Sequence, residues 1–135
     1  MNRSAGRRTW LIVVVVVLAH LVVAIVHGAA HAQARVPLSP EANLFVFIVI
    51  LAGPLIGLAL TWVAGRTGAW IVAVTLAAAL VFGLVNHFVF ESSDHITHID
   101  REWRTLFTAT AVLLAVTEAL GSGLAIRLAR ERKRP

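Results

Sequence analysis

Four long apolar segments constrain the fold of this chain more than any other feature of its sequence. The first covers residues 10–31 and begins WLIVVVVVLAHLVVAIV, and the others cover residues 43–64, 69–90 and 106–128. Each segment is long enough to cross about 30 Å of hydrocarbon as an α-helix. Because hydrocarbon offers no partners to main-chain N–H and C=O groups, each segment is predicted to be helical.

The composition indicates the same fold class. The chain is 59% hydrophobic and only 14% charged, whereas soluble domains are about a quarter charged. We therefore predict an all-α integral membrane protein that forms one domain over residues 1–135, an antiparallel bundle of four transmembrane helices. The chain has no cysteine, which excludes disulfides and thiolate metal ligands.

Local signals mark the ends of the second segment. Ser39, Pro40 and Glu41 supply a capping residue, a first-turn proline and a first-turn acid, which predicts that a helix begins there. The sequence GRTG at residues 65–68 predicts a tight turn, so the second and third segments should form a hairpin. Gly53-Pro54 predicts a local kink inside the second segment.

The distribution of arginine and lysine predicts the orientation of the bundle. Nine of the twelve basic residues fall on one side of the membrane: Arg3, Arg7, Arg8, Arg66, Arg127, Arg130, Arg132, Lys133 and Arg134. The other side has Arg35, Arg101 and Arg104. We predict that both termini are cytoplasmic and that the protein lies in a bacterial inner membrane. The basic tail should contact anionic lipid of the bilayer, and we expect no nucleic-acid partner.

A cleaved signal peptide is the alternative interpretation of the first segment. Arg7-Arg8, the apolar run and the small-residue stretch at residues 30–32 are typical of such a peptide. Cleavage would leave three segments in the same orientation. The run is long for a signal peptide, so a retained segment is favoured.

Histidines and acids concentrate at the predicted outer face. His27 and His31 stand one helical turn apart at the end of the first segment, and His87 lies near the end of the third. The loop FESSDHITHIDREW, residues 90–103, adds the side chains of Asp94, His95 and His98. Imidazole and carboxylate ligands suit Cu, Zn or Fe, and histidine also ligates haem b. We predict a metal or haem site formed by His27, His31, His87, His95, His98 and Asp94. Asn86 and Glu91 are expected to orient its ligands.

Two further ionisable residues fall near the bilayer centre. His20 and Glu118 each lie about 12 residues, or about 18 Å, from the outer end of their segments. They are predicted to face each other as a proton or ion relay, or to form a structural hydrogen bond of about 1 kcal/mol. Thr117 should add a hydrogen bond to this pair. Gly28, beside the His20–His27 face, is predicted to let a neighbouring helix come close.

Three function classes follow from these patterns. The first is a metal- or haem-binding membrane protein, with redox chemistry as one use, and it is favoured by the number of histidines at one level. The second is a small ion- or proton-coupled transporter that uses His20 and Glu118. The third is an accessory subunit that packs against a larger membrane protein or against copies of itself. The sequence leaves open whether the protein is an enzyme.

Overall fold

Four helices make up the fold of the part of the chain that the structure describes. The structure, a computed structural model, describes residues 3–132, with side chains from residue 6 onward, and this part of the chain contains no strand. The helices are α1 (Arg3–Gln33), α2 (Pro40–Val63), α3 (Gly65–Val89) and α4 (Arg101–Glu131). All four are long and apolar enough to cross a membrane, which confirms the prediction of four helices of spanning length. Lys133 and Arg134, which were used to predict the orientation, lie outside the described residues.

The connection between α2 and α3 is shorter than the sequence predicts. The cap at Ser39 is confirmed, because its side chain accepts a hydrogen bond of 3.2 Å from the main-chain N–H of Ala42. The predicted turn at residues 65–68 is wrong, because α3 already begins at Gly65 and only Ala64 separates the two helices. The glycines of this stretch serve packing instead: Gly68 lies against the main chain of α2.

The packing of the helices leaves one side of the bundle loose. Helix α4 packs along both α1 and α3, and α3 packs along α2, whereas α1 and α2 touch at few points. One contact is near Trp10, whose Nε1 donates a 2.9 Å hydrogen bond to Thr61 Oγ1. The other is near the middle, where His20 meets the carbonyl of Ile50. Beyond His20, a space therefore remains between α1 and α2.

Two apolar clusters hold the helices together at opposite ends of this space. The larger one includes the fully buried Val13, Val17, Val72, Leu76 and Leu128. The smaller one lies toward the loop of residues 90–100 and contains Ala30, Ala34, Ile99 and Phe107. The polar side chains described below lie between these two clusters.

We expect Gly68→Ala to destabilise the protein through the α2–α3 contact. A Cβ atom at Gly68 would come within 3 Å of main-chain atoms of Gly57, Leu60 and Thr61, and main chain cannot move aside as a rotamer can. The free energy of unfolding in detergent should fall by about 1–3 kcal/mol. Gly123→Ala is the control, because a Cβ there meets nothing within 4 Å. It should be neutral or stabilise by up to about 1 kcal/mol, and equal losses in both variants would contradict the packing role.

Candidate metal centre

Three buried histidines meet near the loop of residues 90–100. Helix α1 presents His27 and His31 one turn apart, and the end of α3 presents His87. One ring nitrogen from each of them lies within 4.8 Å of the other two. The chain therefore has a buried histidine cluster, defined as His27, His31 and His87, that could hold a metal ion.

A π-helical turn positions His87. The last residues of α3, Val85–Val89, form this turn, and the N–H of Phe90 closes it with a 2.7 Å hydrogen bond to the carbonyl of Val85. The carbonyl of His87 accepts a 3.1 Å hydrogen bond from the N–H of Ile96, which ties the loop to the helix. Single π-helical turns occur often at functional sites, because the extra residue redirects a side chain.

Asp94 brings a carboxylate from the loop to the histidine cluster. Its Oδ1 lies 3.3 Å from His31 Nε2 and 3.2 Å from His87 Nδ1. The better-directed hydrogen bond of His87 Nδ1 is to the main-chain oxygen of Asp94, at 3.2 Å, which leaves Oδ1 without a well-aligned donor. Burial raises the pKa of the Asp94 carboxyl, but the close contact with His87 and the electrostatic attraction of the nearby His31 and His27 outweigh burial and hold this pKa below its ordinary value. The carboxylate therefore stays ionised beside the three rings.

Phe107 of α4 closes another side of the cluster. Its side chain is fully buried, and its ring centroid lies 4.7 Å from those of His27 and His31 and 5.3 Å from that of His87. An aromatic ring in contact with all three imidazoles excludes water from that side. It also restricts the rotamers of the three histidines.

Thr110 determines which nitrogen of His27 carries the proton. The Thr110 hydroxyl donates to the carbonyls of Leu106 and Phe107, at 2.8 and 3.0 Å. Its Oγ1 also lies 2.8 Å from His27 Nδ1. When the hydroxyl proton points to these carbonyls, Oγ1 accepts a hydrogen bond from His27 Nδ1. A neutral His27 ring therefore has its lone pair on Nε2.

His87 follows the same pattern. His87 Nδ1 faces two oxygen acceptors of Asp94, so it donates and the lone pair of the neutral ring lies on Nε2. His31 differs, because both of its nitrogens face oxygen acceptors: Nδ1 the carbonyl of Val36 at 3.4 Å and Nε2 the carboxylate of Asp94 at 3.3 Å. His27 Nε2 and His87 Nε2 are only 3.1 Å apart. Two lone pairs that face each other at this distance repel unless a cation or a shared proton lies between them.

The histidines of the loop stay outside the cluster. His98 is exposed, and its Nδ1 lies 2.6 Å from the carbonyl oxygen of Ser92. His95 Nδ1 lies 2.7 Å from the hydroxyl of Thr97. The loop thus reaches the histidine cluster through Asp94, and neither His95 nor His98 completes the site.

The residues expected to orient ligands make other contacts. Asn86 donates a hydrogen bond to the carbonyl of Phe82 in its own helix. Thr117 donates to carbonyls one turn back in α4, and Glu91 is exposed. Sequence reasoning missed Phe107 and Thr110, which are the residues that orient the cluster. Phe107 and Thr110 lie 11 and 8 residues before Glu118, and these helical spacings are the signal that could have located this face of α4.

His20 and Glu118 lie next to each other in the middle of the bundle. His20 Nδ1 is 3.8 Å from Glu118 Oε1, and both side chains are buried. His20 Nε2 lies 3.2 Å from the carbonyl oxygen of Ile50, so Nε2 carries the proton. Pro54 has no N–H to donate to the carbonyl of residue 50, and the helix is π-helical over Val46–Ala52. The proline thus frees the acceptor that His20 uses, and His20 Nδ1 is left facing Glu118 without a hydrogen bond.

A cavity of about 390 Å³ joins the histidine cluster to Glu118. Most of its wall is apolar and comes from all four helices: Ala24, Ile25, Phe47, Leu51, Ala79, Phe82, Ala111, Leu114 and Ala115. Gly28 also lines it, and a Cβ atom there would meet nothing within 4 Å. The prediction that Gly28 lets a neighbouring helix come close is therefore wrong, because α2 stands away from α1 at this level.

Comparison with known proteins adds no relative to this description. No protein family, no curated protein and no solved structure matches the chain. The fold and the site by themselves define the class: a membrane-like helical protein with a buried histidine cluster that could hold a metal ion.

Proposed function

We propose that this protein binds one transition-metal ion through the histidine cluster, with the Asp94 carboxylate beside it. The observation that carries the proposal is the 3.1 Å separation of His27 Nε2 and His87 Nε2, in two rings whose Nδ1 atoms both face oxygen atoms. In a tetrahedral site with Zn–N bonds of 2.0–2.1 Å, ligand atoms stand about 3.4 Å apart. The two nitrogens therefore already have nearly the spacing that a shared ion requires.

A single ion fits the cluster better than haem b does. Two histidines on opposite faces of haem would have ligand nitrogens about 4 Å apart, twice a metal–nitrogen bond of about 2 Å, with the flat macrocycle between them. The ring of Phe107 lies against all three imidazoles and fills the space that a macrocycle needs. Zn, Cu or Fe suits three imidazoles, and Cu or Fe would also support redox chemistry.

The surroundings of the cluster favour a cation that arrives from the loop side. Exposed acids lie on this side at Glu91 and Glu102, and they raise the local concentration of cations. In the orientation predicted from the basic residues, this side is the periplasmic face of a bacterial inner membrane. The chain would lie in the bilayer with exposed apolar side chains such as Val15, Val22 and Ile25 toward lipid. A larger membrane-protein partner or a second copy of the chain remains part of the proposal.

Asp94→Asn tests the contribution of the loop carboxylate. The amide keeps the shape of the side chain but removes the charge that lies 3.2 Å from His87 Nδ1. Changes in groups that hydrogen-bond to metal ligands reduce metal affinity about 10–100-fold, so a loss in that range is expected in Zn²⁺ titrations against a competing chelator. Asp100→Asn is the control, because Asp100 is exposed and makes no capping hydrogen bond. Equal affinities of the two variants would contradict the role of Asp94.

A second candidate function is proton-coupled ion movement, favoured by the buried His20 Nδ1 that faces Glu118 without a hydrogen bond. If the pair passes protons, Glu118→Gln should lower metal-driven proton flux in proteoliposomes by about 100-fold, the low end for a lost proton-transfer group. Glu131→Gln is the control, since Glu131 pairs with Arg127 at the far end of α4. Absence of proton flux with the unaltered protein would contradict this second function, and the proposal of metal binding would still stand.

A further inference from the structure

The cavity beneath the histidine cluster extends from the three histidines to Glu118. We propose that it binds a monoanionic amphiphile with one acyl chain, whose carboxylate takes the open coordination position of the metal ion. The assignment of the head group rests on the proposed metal centre. The assignment of the chain rests on the shape and lining of the cavity.

The polarity of the cavity is divided along its length. One end holds the histidine cluster and Asp94, the wall is apolar, and Glu118 lies at the other end. The α4 residues that line the cavity run from Ala111 to Glu118, seven residues or about 10 Å along the helix, the length of a chain of about eight carbons. The volume of about 390 Å³ lies within the range of small-molecule sites. A head group that ligates a metal at the histidine cluster, with a short apolar chain along the apolar wall, matches this lining.

The cavity opens toward the surface that would face lipid. Helices α1 and α2 meet near Trp10 and at His20, as described above, and they separate beyond His20. On either side of this gap, the wall residues Ile25 and Phe47 are 68% and 64% exposed. A ligand would therefore pass sideways between α1 and α2 from the bilayer, which selects a membrane-soluble molecule over a water-soluble one.

Charge selects the head group. Three neutral imidazoles, one divalent ion and the Asp94 carboxylate together carry one net positive charge. A buried charge is costly unless it is compensated. One carboxylate head group makes the site neutral, whereas an alcohol leaves it positive and a dianionic phosphate makes it negative.

The test uses Co²⁺-loaded protein in phosphatidylcholine nanodiscs, because the visible spectrum of Co²⁺ reports a new ligand. Decanoate should change this spectrum, and Ala115→Phe, which fills the cavity from α4, should raise the half-saturating concentration at least about tenfold. Ala24→Phe, on the α1 wall, should do the same. Ala109→Phe is the control because Ala109 is exposed on another face of α4. Acetate, which has no apolar chain, should change the Co²⁺ spectrum equally in the unaltered protein and in the three variants.

Each outcome supports or overturns one part of the proposal. Equal decanoate responses in the unaltered protein, Ala115→Phe and Ala24→Phe overturn the cavity site. A spectral change of equal size with decan-1-ol overturns the carboxylate head group. If Co²⁺ does not bind, the proposed metal-binding function is overturned. The cavity is then tested by the amount of radiolabelled decanoate that the protein in nanodiscs retains relative to empty nanodiscs. Retention that Ala115→Phe removes then still supports the cavity, and retention that it leaves unchanged overturns it.

Discussion

Replacing His87 with alanine is expected to weaken metal binding by more than about 100-fold, because even changes in groups that only orient ligands cost up to that factor. His87 contributes the nitrogen that lies 3.1 Å from His27 Nε2 and also contacts Asp94. Its loss therefore removes one ligand and releases the loop carboxylate. The affinity is measured by competition with a chelator of known affinity for Zn²⁺.

His98→Ala is the matched control for this experiment. It removes an imidazole from the neighbouring loop. His98 is exposed, and its Nδ1 contacts the carbonyl of Ser92 and not the histidine cluster. Its affinity should equal that of the unaltered protein. If His98→Ala weakens binding as much as His87→Ala does, metal binds in the loop and the buried cluster is not the site.

Phe107→Ala is expected to cause the largest loss of stability, about 3–5 kcal/mol in the free energy of unfolding. Phe107 is fully buried and is the largest of the buried side chains. Its ring contacts His27, His31 and His87, and these rings are fixed by their own hydrogen bonds. The space left by the ring therefore cannot close by small movements, and a cavity remains.

The measurement for Phe107→Ala is reversible unfolding in detergent. Phe90→Ala is its control, because Phe90 is 65% exposed at the end of α3, and exposed substitutions usually change stability by no more than about 0.5 kcal/mol. A loss below about 1 kcal/mol for Phe107→Ala would show that the histidine cluster collapses onto the vacated space. The packing described for this side of the site would then be incorrect.

The helices and part of the site follow from the sequence because they depend on local properties. Apolar length predicts the four spanning helices, and a spacing of four residues places His27 and His31 on one face of a helix. The level of His87 follows from its distance to the end of its own segment. None of these inferences requires knowledge of which helices are neighbours.

The rest of the site depends on contacts that sequence spacing does not encode. The hydrogen bond from the Ile96 N–H to the His87 carbonyl fixes the loop. In this position of the loop, Asp94 reaches the cluster, whereas His95 and His98 do not. The π-helical turn that positions His87 has no signature in a continuous apolar run. The contacts of Phe107 and Thr110 depend on α4 being the neighbour of both α1 and α3.

Glycine shows the same ambiguity at two positions. At Gly68 the sequence indicates a turn, yet this residue is helical and allows close main-chain packing. At Gly28 the sequence indicates close packing, yet this residue lines open space. A missing side chain permits each of these arrangements, and only the position of the neighbouring helix decides between them.

The metal content of the purified protein tests the central claim most directly. After loading with Zn²⁺, Cu²⁺ or Fe²⁺ and dialysis, elemental mass spectrometry should find one metal ion per chain. A variant with alanine at His27, His31 and His87 should retain none, while its helical circular dichroism shows that it is folded. If the unaltered protein retains no more metal than this variant, the buried histidine cluster shares protons and does not bind an ion.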